Sequence, residues 1–273
     1  MTGSDTYDGL SGAAVAGVLG ALRARTPLVH CMTNIVVAGF TANVLLAAGA
    51  SPAMVENDQE SAEFAAAADA LLVNLGTLSG ERVRAMTGAA SAAWAAGTPW
   101  VLDPVAVGPL PFRTTLAAEL LDHRPTVIRG NPSEVLSLAG AVGAAGRGVD
   151  STADSATAVP SARELAARTG GVVAVSGSVD YITDGTRVWQ VHTGHPLMTK
   201  VTGTGCALGS LVAACCAVED SPLVAATAAT SILTVAAEVA ARRSSGPGSF
   251  AVALLDALAG LDESALTEHL DHR

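Results

Sequence analysis

The chain has 273 residues, half of them hydrophobic, with a formal net charge of −10 and a pI near 4.9. That is ample material for one large α/β core. The acidic balance, without any basic run, argues against a nucleic-acid surface.

Aromatic residues are only 3% of the total, so the core must be built from Ala, Val and Leu. Cys31, Cys206, Cys215 and Cys216 follow no metal-binding spacing. Met1–Ser11 is polar, carries Asp5 and Asp8, and has neither the basic nor the apolar segment of a secretory signal. These features lead us to expect a reducing, cytoplasmic setting. The apolar runs Cys206–Val218 and Leu223–Ala237 are shorter than the roughly 18–20 residues that span a bilayer. They are expected to be core helices, with no membrane partner.

In chain order, residues 1–12 are expected to be loose, and residues 13–273 to form one domain. Val15, Val18, Leu19 and Leu22 recur at helical spacing within Ala13–Ala24. Pro27–Cys31 reads as a strand and Asn34–Ala48 as a helix stopped by Gly49. Pro52–Val55 and Ala70–Asn74 read as strands. Ser79–Ala96 reads as a helix with Ser79 as its N-cap. Trp100–Asp103 is a strand, Phe112–Leu121 a helix and Thr126–Arg129 a strand. Ser133–Leu138 opens a helix, and Ala139–Ala158 reads as a loop or partial helix. Ser161–Arg168 is helical and Val172–Ser176 a strand. Asp184-Gly185 joins Asp180–Thr183 and Val188–His192 as a hairpin. Cys206–Val218, Pro222–Ala241, Phe250–Leu261 and Asp262–His272 are the final helices. Short strands that are apolar at every position suit a mainly parallel sheet with helices on both faces.

Ligands bind at the carboxyl ends of strands in such sheets. Asn34, Asn74, Asp103, Arg129, Asn131 and Ser176 fall at or just beyond those ends. Lys200–Ser210, KVTGTGCALGS, feeds a glycine-rich turn into an apolar helix. The free N–H groups and positive dipole end of such a helix make an anion site. Gly203, Thr204, Gly205 and Cys206 are its expected lining. Asp103 and Glu134 are two carboxylates of the kind a hydrated Mg²⁺ takes together with phosphate oxygens. Each also has a plainer reading, Asp103 as a turn residue before Pro104 and Glu134 as a first-turn acid. Arg129 offers a fork of donors for phosphate. A Walker-type phosphate loop is absent. His192 and His195 form only a weak H-x-x-H signal. Drawing Cys206 with either histidine leaves a Cys-dependent hydrolase or acyltransferase as an alternative.

Several pieces together resemble the hydroxyethylthiazole kinases, a thiamine-salvage family of the ribokinase-like superfamily. They are Cys31–Asn34 (CMTN), Ser51–Met54 (SPAM), Val73–Leu78 (VNLGTL), Leu102–Val107 (LDPVAV), Ile128–Glu134 (IRGNPSE), Val175–Tyr181 (VSGSVDY) and Lys200–Cys206 (KVTGTGC). Their order covers the chain from about Thr26 to Asp256. The resemblance implies a ribokinase-like fold and phosphorylation of 4-methyl-5-(2-hydroxyethyl)thiazole by Mg-ATP. It implies substrate contacts from Met54, Asn34 and Gly203, and ATP contacts from Arg129 and Ser176. Asp103 and Glu134 would serve Mg²⁺, and Cys206 stands where most ribokinase-like enzymes carry an aspartate base. A thiol at a helix N-terminus is expected to be more acidic than usual, an effect that a nearby triphosphate opposes. The family more often has Thr where Ser176 stands, which keeps the hydroxyl. A homotrimer with sites at subunit interfaces is a further implication. The alternative within the superfamily is a kinase of another small heterocyclic alcohol, hydroxymethylpyrimidine or pyridoxal.

Overall fold

The computed structural model describes residues 9–142 and 154–271. Among the described residues, eight strands form one sheet: β1 (Leu28–Met32), β2 (Ser51–Ala53), β3 (Ala70–Asn74), β4 (Trp100–Asp103), β5 (Val127–Gly130), β6 (Val172–Val175), β7 (Asp180–Thr183) and β8 (Val188–Val191). Their spatial order is β2-β1-β3-β4-β5-β6-β7-β8. Strands β2 to β6 pair in parallel, and β6, β7 and β8 in antiparallel. The expected hairpin is therefore present, at the sheet edge opposite β2.

The helices are α1 (Gly12–Arg25), α2 (Ala38–Ala48), α3 (Ser61–Ala67), α4 (Gly80–Ala96), α5 (Pro111–Leu120), α6 (Pro132–Ala141), α7 (Val159–Thr169), α8 (Thr204–Cys216), α9 (Pro222–Arg242), α10 (Pro247–Gly260) and α11 (Glu263–Asp271). They divide between the two faces because successive strand side chains point to opposite sides. In β3, Ala70 and Leu72 join the core beneath α1, α2, α8, α9 and α10, whereas Leu71 and Val73 join the core beneath α4 to α7. Every residue of β3 and β4 is buried, as in a sheet covered on both sides.

The structure amends the sequence reading at several points. Helix α2 begins at Ala38 rather than Asn34, because residues 35–37 form a turn and the Asn34 side chain is bonded elsewhere. Helix α3 and a 3₁₀ turn over Pro196–Lys200 lack a periodic signal and were not foreseen. Helix α9 runs to 21 residues and is long and apolar enough to cross a membrane, but 89% of its apolar window is buried within the fold, as suits a core helix. Residues 1–8 of the segment expected to be loose, and residues 143–153 of the expected loop, lie outside the described residues.

Trp100 is the largest fully buried side chain among the described residues. It fills the face beneath α4 to α7, and its indole N–H donates to the His123 carbonyl at 2.9 Å. Trp100→Ala is expected to cost about 3–5 kcal/mol, read as a shift in the urea unfolding midpoint. A loss below about 1 kcal/mol would mean that this face can collapse onto the cavity.

Candidate active site

The site begins at the N-terminus of α8. Gly203 is its N-cap with φ +94°, a left-handed conformation that a side chain strains. A Cβ there would lie 2.6 Å from Val37 Cγ1, so the turn also needs glycine for space. Ala207 N–H donates to the Gly203 carbonyl at 2.8 Å and starts the helical ladder. The N–H groups of Thr204, Gly205 and Cys206 precede it and take no backbone partner, which is the geometry of an anion cradle. The Thr204 hydroxyl turns away and donates to the Met198 carbonyl at 2.9 Å.

Arg129, at the end of β5, brings a cation beside the cradle. A Cβ placed on Gly205 would lie 2.9 Å from Arg129 Nη1. Bare backbone at residue 205 thus lets the guanidinium reach the cradle. Arg129 Nε and Nη2 both donate to Ser176 Oγ, at 3.1 and 2.7 Å. Ser176 in turn bonds Asp180, which also accepts the Gly177 N–H at 2.9 Å. Burial pushes the Asp180 carboxyl up to about 6, against the pull of the Gly177 N–H and of Arg129.

On the other side of the cradle stands a row of strand-end side chains. Asn74 Nδ2 donates to Asp103 Oδ2 at 2.7 Å. Asn34 Nδ2 donates to Cys206 Sγ at 3.1 Å and reaches Asn74 Oδ1 at 3.5 Å. Burial raises Asp103 to about 7; Arg129 lowers it, Glu134 raises it again, and Asn74 lowers it. Cys206 also has its pKa raised, first by burial and then by Asp103, which outweigh Asn74, Arg129 and Asn34. The extra acidity expected of a helix-terminal thiol is therefore overturned, because lost hydration and a neighbouring carboxylate oppose the thiolate.

Glu134 fills both of its readings at once. Its Oε2 accepts the Asn131 N–H at 2.9 Å, while Asn131 Oδ1 accepts the Glu134 N–H at 2.9 Å, a full capping box. Its Oε1 accepts the Ala106 N–H at 3.0 Å and pins that residue at φ +61°. Among the described residues no cluster of three or more His, Cys, Asp or Glu could hold a metal alone. Asp103 and Glu134 keep free lone pairs, which suits an ion that draws its other ligands from water and phosphate.

A cavity of about 560 Å³ opens beside the cradle, lined by Arg129, Ser176, Asp180, Thr193, His195 and Thr204 among others. The expected residues thus fall into two groups around α8. Arg129, Ser176, Thr204 and Gly205 face the cavity, while Asn34, Cys206 and Asp103 belong to the hydrogen-bonded row. Met54 sits beyond the end of edge strand β2, half-buried and outside both groups. The hydrogen-bond partners of Cys206 are Asn34 and Asn74, not a histidine. His192 bonds Gln190 Oε1, and His195 Nδ1 accepts the Leu197 N–H.

The model of the "Hydroxyethylthiazole kinase family" matches residues 19–264. The chain belongs to that family. It is 58% identical to a hydroxyethylthiazole kinase of Kineococcus radiotolerans over 258 residues, or 94% of each chain. It is 54% identical to one from Escherichia coli over 251 residues, or 92% of this chain and 95% of that one. The solved hydroxyethylthiazole kinase structure of Pyrococcus horikoshii OT3 superposes with a TM-score of 0.85 at 39% identity, covering 92% of this chain and 94% of that one. A ribokinase-like superfamily protein of Enterococcus faecalis shares the fold alone, with a TM-score of 0.61 at 13% identity, covering 94% of this chain and 90% of that one. The chain is therefore a phosphotransferase of the hydroxyethylthiazole kinase family with a ribokinase-like fold.

For this kinase, sequence reasoning missed Asp180, Thr193 and Thr234. Asp180 lay inside a predicted strand and the two threonines carried no motif, so the signal was only their proximity to the sheet's carboxyl edge. His192 and His195 read as ordinary polar residues, yet both line the cavity.

A raised carboxyl pKa means that the folded state holds the proton more tightly than the unfolded chain does. The Asp180 contribution is then fully present below pH about 4 and lost as pH rises through about 6. Between pH 4 and 7 the wild type is expected to lose roughly 2–3 kcal/mol relative to Asp180→Asn. Denaturant unfolding across that range checks it, and parallel stability profiles would contradict it.

Proposed function

We propose that this protein transfers the γ-phosphoryl group of ATP to the hydroxyl of 4-methyl-5-(2-hydroxyethyl)thiazole, as a cytoplasmic salvage kinase whose single domain spans residues 13–273. The observation that carries the reading is the α8 N-terminus, with its free N–H groups between an Arg129-lined cavity and the Asn34–Cys206 row.

Phosphoryl transfer needs positioning and charge stabilisation more than covalent chemistry. Arg129 and Ser176 bind the ATP phosphates from the cavity side. The N–H groups of Thr204, Gly205 and Cys206 receive the charge that grows on the transferring group, already oriented by the helix. Asn34 and the Gly203 turn orient the thiazole alcohol on the opposite side, and Met54, which lies outside both groups in its own chain, would reach it from a neighbouring subunit. Asp103 and Glu134 would hold Mg²⁺, which when bound neutralises phosphate charge. A raised thiol pKa leaves little resting thiolate at Cys206, but the thiolate that forms is a strong base for the alcohol proton. The exposed Ile35 (72%) and Val36 (70%), on the turn beside Asn34, support an assembly that covers them, for which we propose a homotrimer with interfacial sites.

An ATP-consumption assay with a panel of small alcohols tests the reaction. We expect turnover of hydroxyethylthiazole with Mg²⁺ and none after chelation. Turnover of a hydroxymethylpyrimidine or pyridoxal instead would overturn the acceptor. For Cys206→Ala we expect kcat to fall at least about tenfold, and a smaller fall removes the base role.

A further inference from the structure

Helix α9 also borders the cavity. Thr234 lines the cavity, and its hydroxyl lies 2.6 Å from that of Thr193, which also lines it. One turn further along α9, Glu238 Oε1 accepts the Gly194 N–H at 2.9 Å. Gly194 has φ +133°, so this wall turns through a conformation that only glycine adopts without strain. The same carboxylate reaches the C-terminal helix, where Glu238 Oε2 pairs with His269 Nε2 at 2.8 Å. Both partners are largely enclosed, with side-chain exposures of 11% for Glu238 and 20% for His269.

We infer that Glu238 is a positioning residue for the nucleotide, holding the Thr193–His195 wall through Gly194, and that His269 of α11 orients its carboxylate. The inference rests on the reading of the cavity as the ATP site. It gives the C-terminal helix a task in catalysis. His269 lies just beyond residues 19–264, which the family model matches. The physical reason is economy of contacts. The wall follows an edge strand, β8, which has a pairing partner on one side only. One carboxylate oxygen takes the Gly194 N–H, the other takes the histidine, and the rotamer is held from both ends. A charge-assisted acceptor is stronger than a neutral one. Enclosure raises the cost of leaving Gly194 N–H without its partner.

The test measures kcat, both KM values and the binding of a non-hydrolysable ATP analogue to the full-length chain. For Glu238→Ala we expect ATP KM and the analogue Kd to rise roughly three- to tenfold, the worth of one ordinary hydrogen bond, because Glu238 acts on the nucleotide only through the wall. The alcohol KM should stay within about twofold, because the cradle and the Asn34 row are untouched. Glu238→Gln keeps an acceptor for Gly194 and should restore most of the affinity. His269→Ala should give a smaller loss of the same kind. Wild-type protein that binds no nucleotide overturns the kinase reading and this inference with it. Wild-type binding matched by equal binding in Glu238→Ala overturns the inference alone. So does a parallel rise in both KM values, or a Glu238→Gln variant as weak as Glu238→Ala, since a merely structural role would produce either.

Discussion

Arg129 lies against backbone that carries no side chain. Its guanidinium sits where a Cβ on Gly205 would come within 2.9 Å, and it bonds Ser176 on the neighbouring strand end. This contact joins the end of β5, the end of β6 and the N-terminus of α8 at one point. A helix end with free N–H groups gathers positive potential, and a guanidinium beside it adds a full charge. Two like potentials this close repel each other unless an anion lies between them. The resting protein supplies part of that balance through buried carboxyls, Asp180 behind Ser176 and Asp103 behind Asn74. The proposed triphosphate supplies the rest.

The buried acids show how the site manages its charge. Asp103 and Asp180 are both pushed towards neutrality by burial, and both are drawn back by Arg129 and by amide or backbone donors. Glu134 is handled differently. Its two oxygens each accept a backbone N–H, so it shapes the loop through Ala106 and caps α6 while remaining at the edge of the site. Structural and chemical duties overlap in one side chain, because a capping carboxylate has lone pairs to spare.

The alanine-rich core explains how so many elements converge. Small side chains let α8 and α9 lie close to the sheet, and two almost fully buried helices make a stiff support. One helix delivers the cradle by its N-terminus. The other carries Thr234 to the same cavity and Glu238 to the Gly194 N–H behind its wall. Rigidity of this kind suits chemistry that depends on position more than on bond-making by the protein.

The sequence by itself determined the alternation of strands and helices, the hairpin at Asp184-Gly185, the glycine cradle and the strand-end polar residues. These are local properties, since apolar periodicity, glycine and capping signals act over a few residues. Helix α3 escaped because seven residues hold less than two full periods. Only the tertiary structure decided that Cys206 pairs with Asn34, 172 positions away, and that its thiol is raised rather than lowered in pKa. Only the fold brought Asp180, Thr193 and Thr234 to one cavity and tied Glu238 to both Gly194 and His269. Burial and long-range hydrogen bonds arise when strands and helices from opposite ends of the chain meet, and no local pattern encodes which ones will.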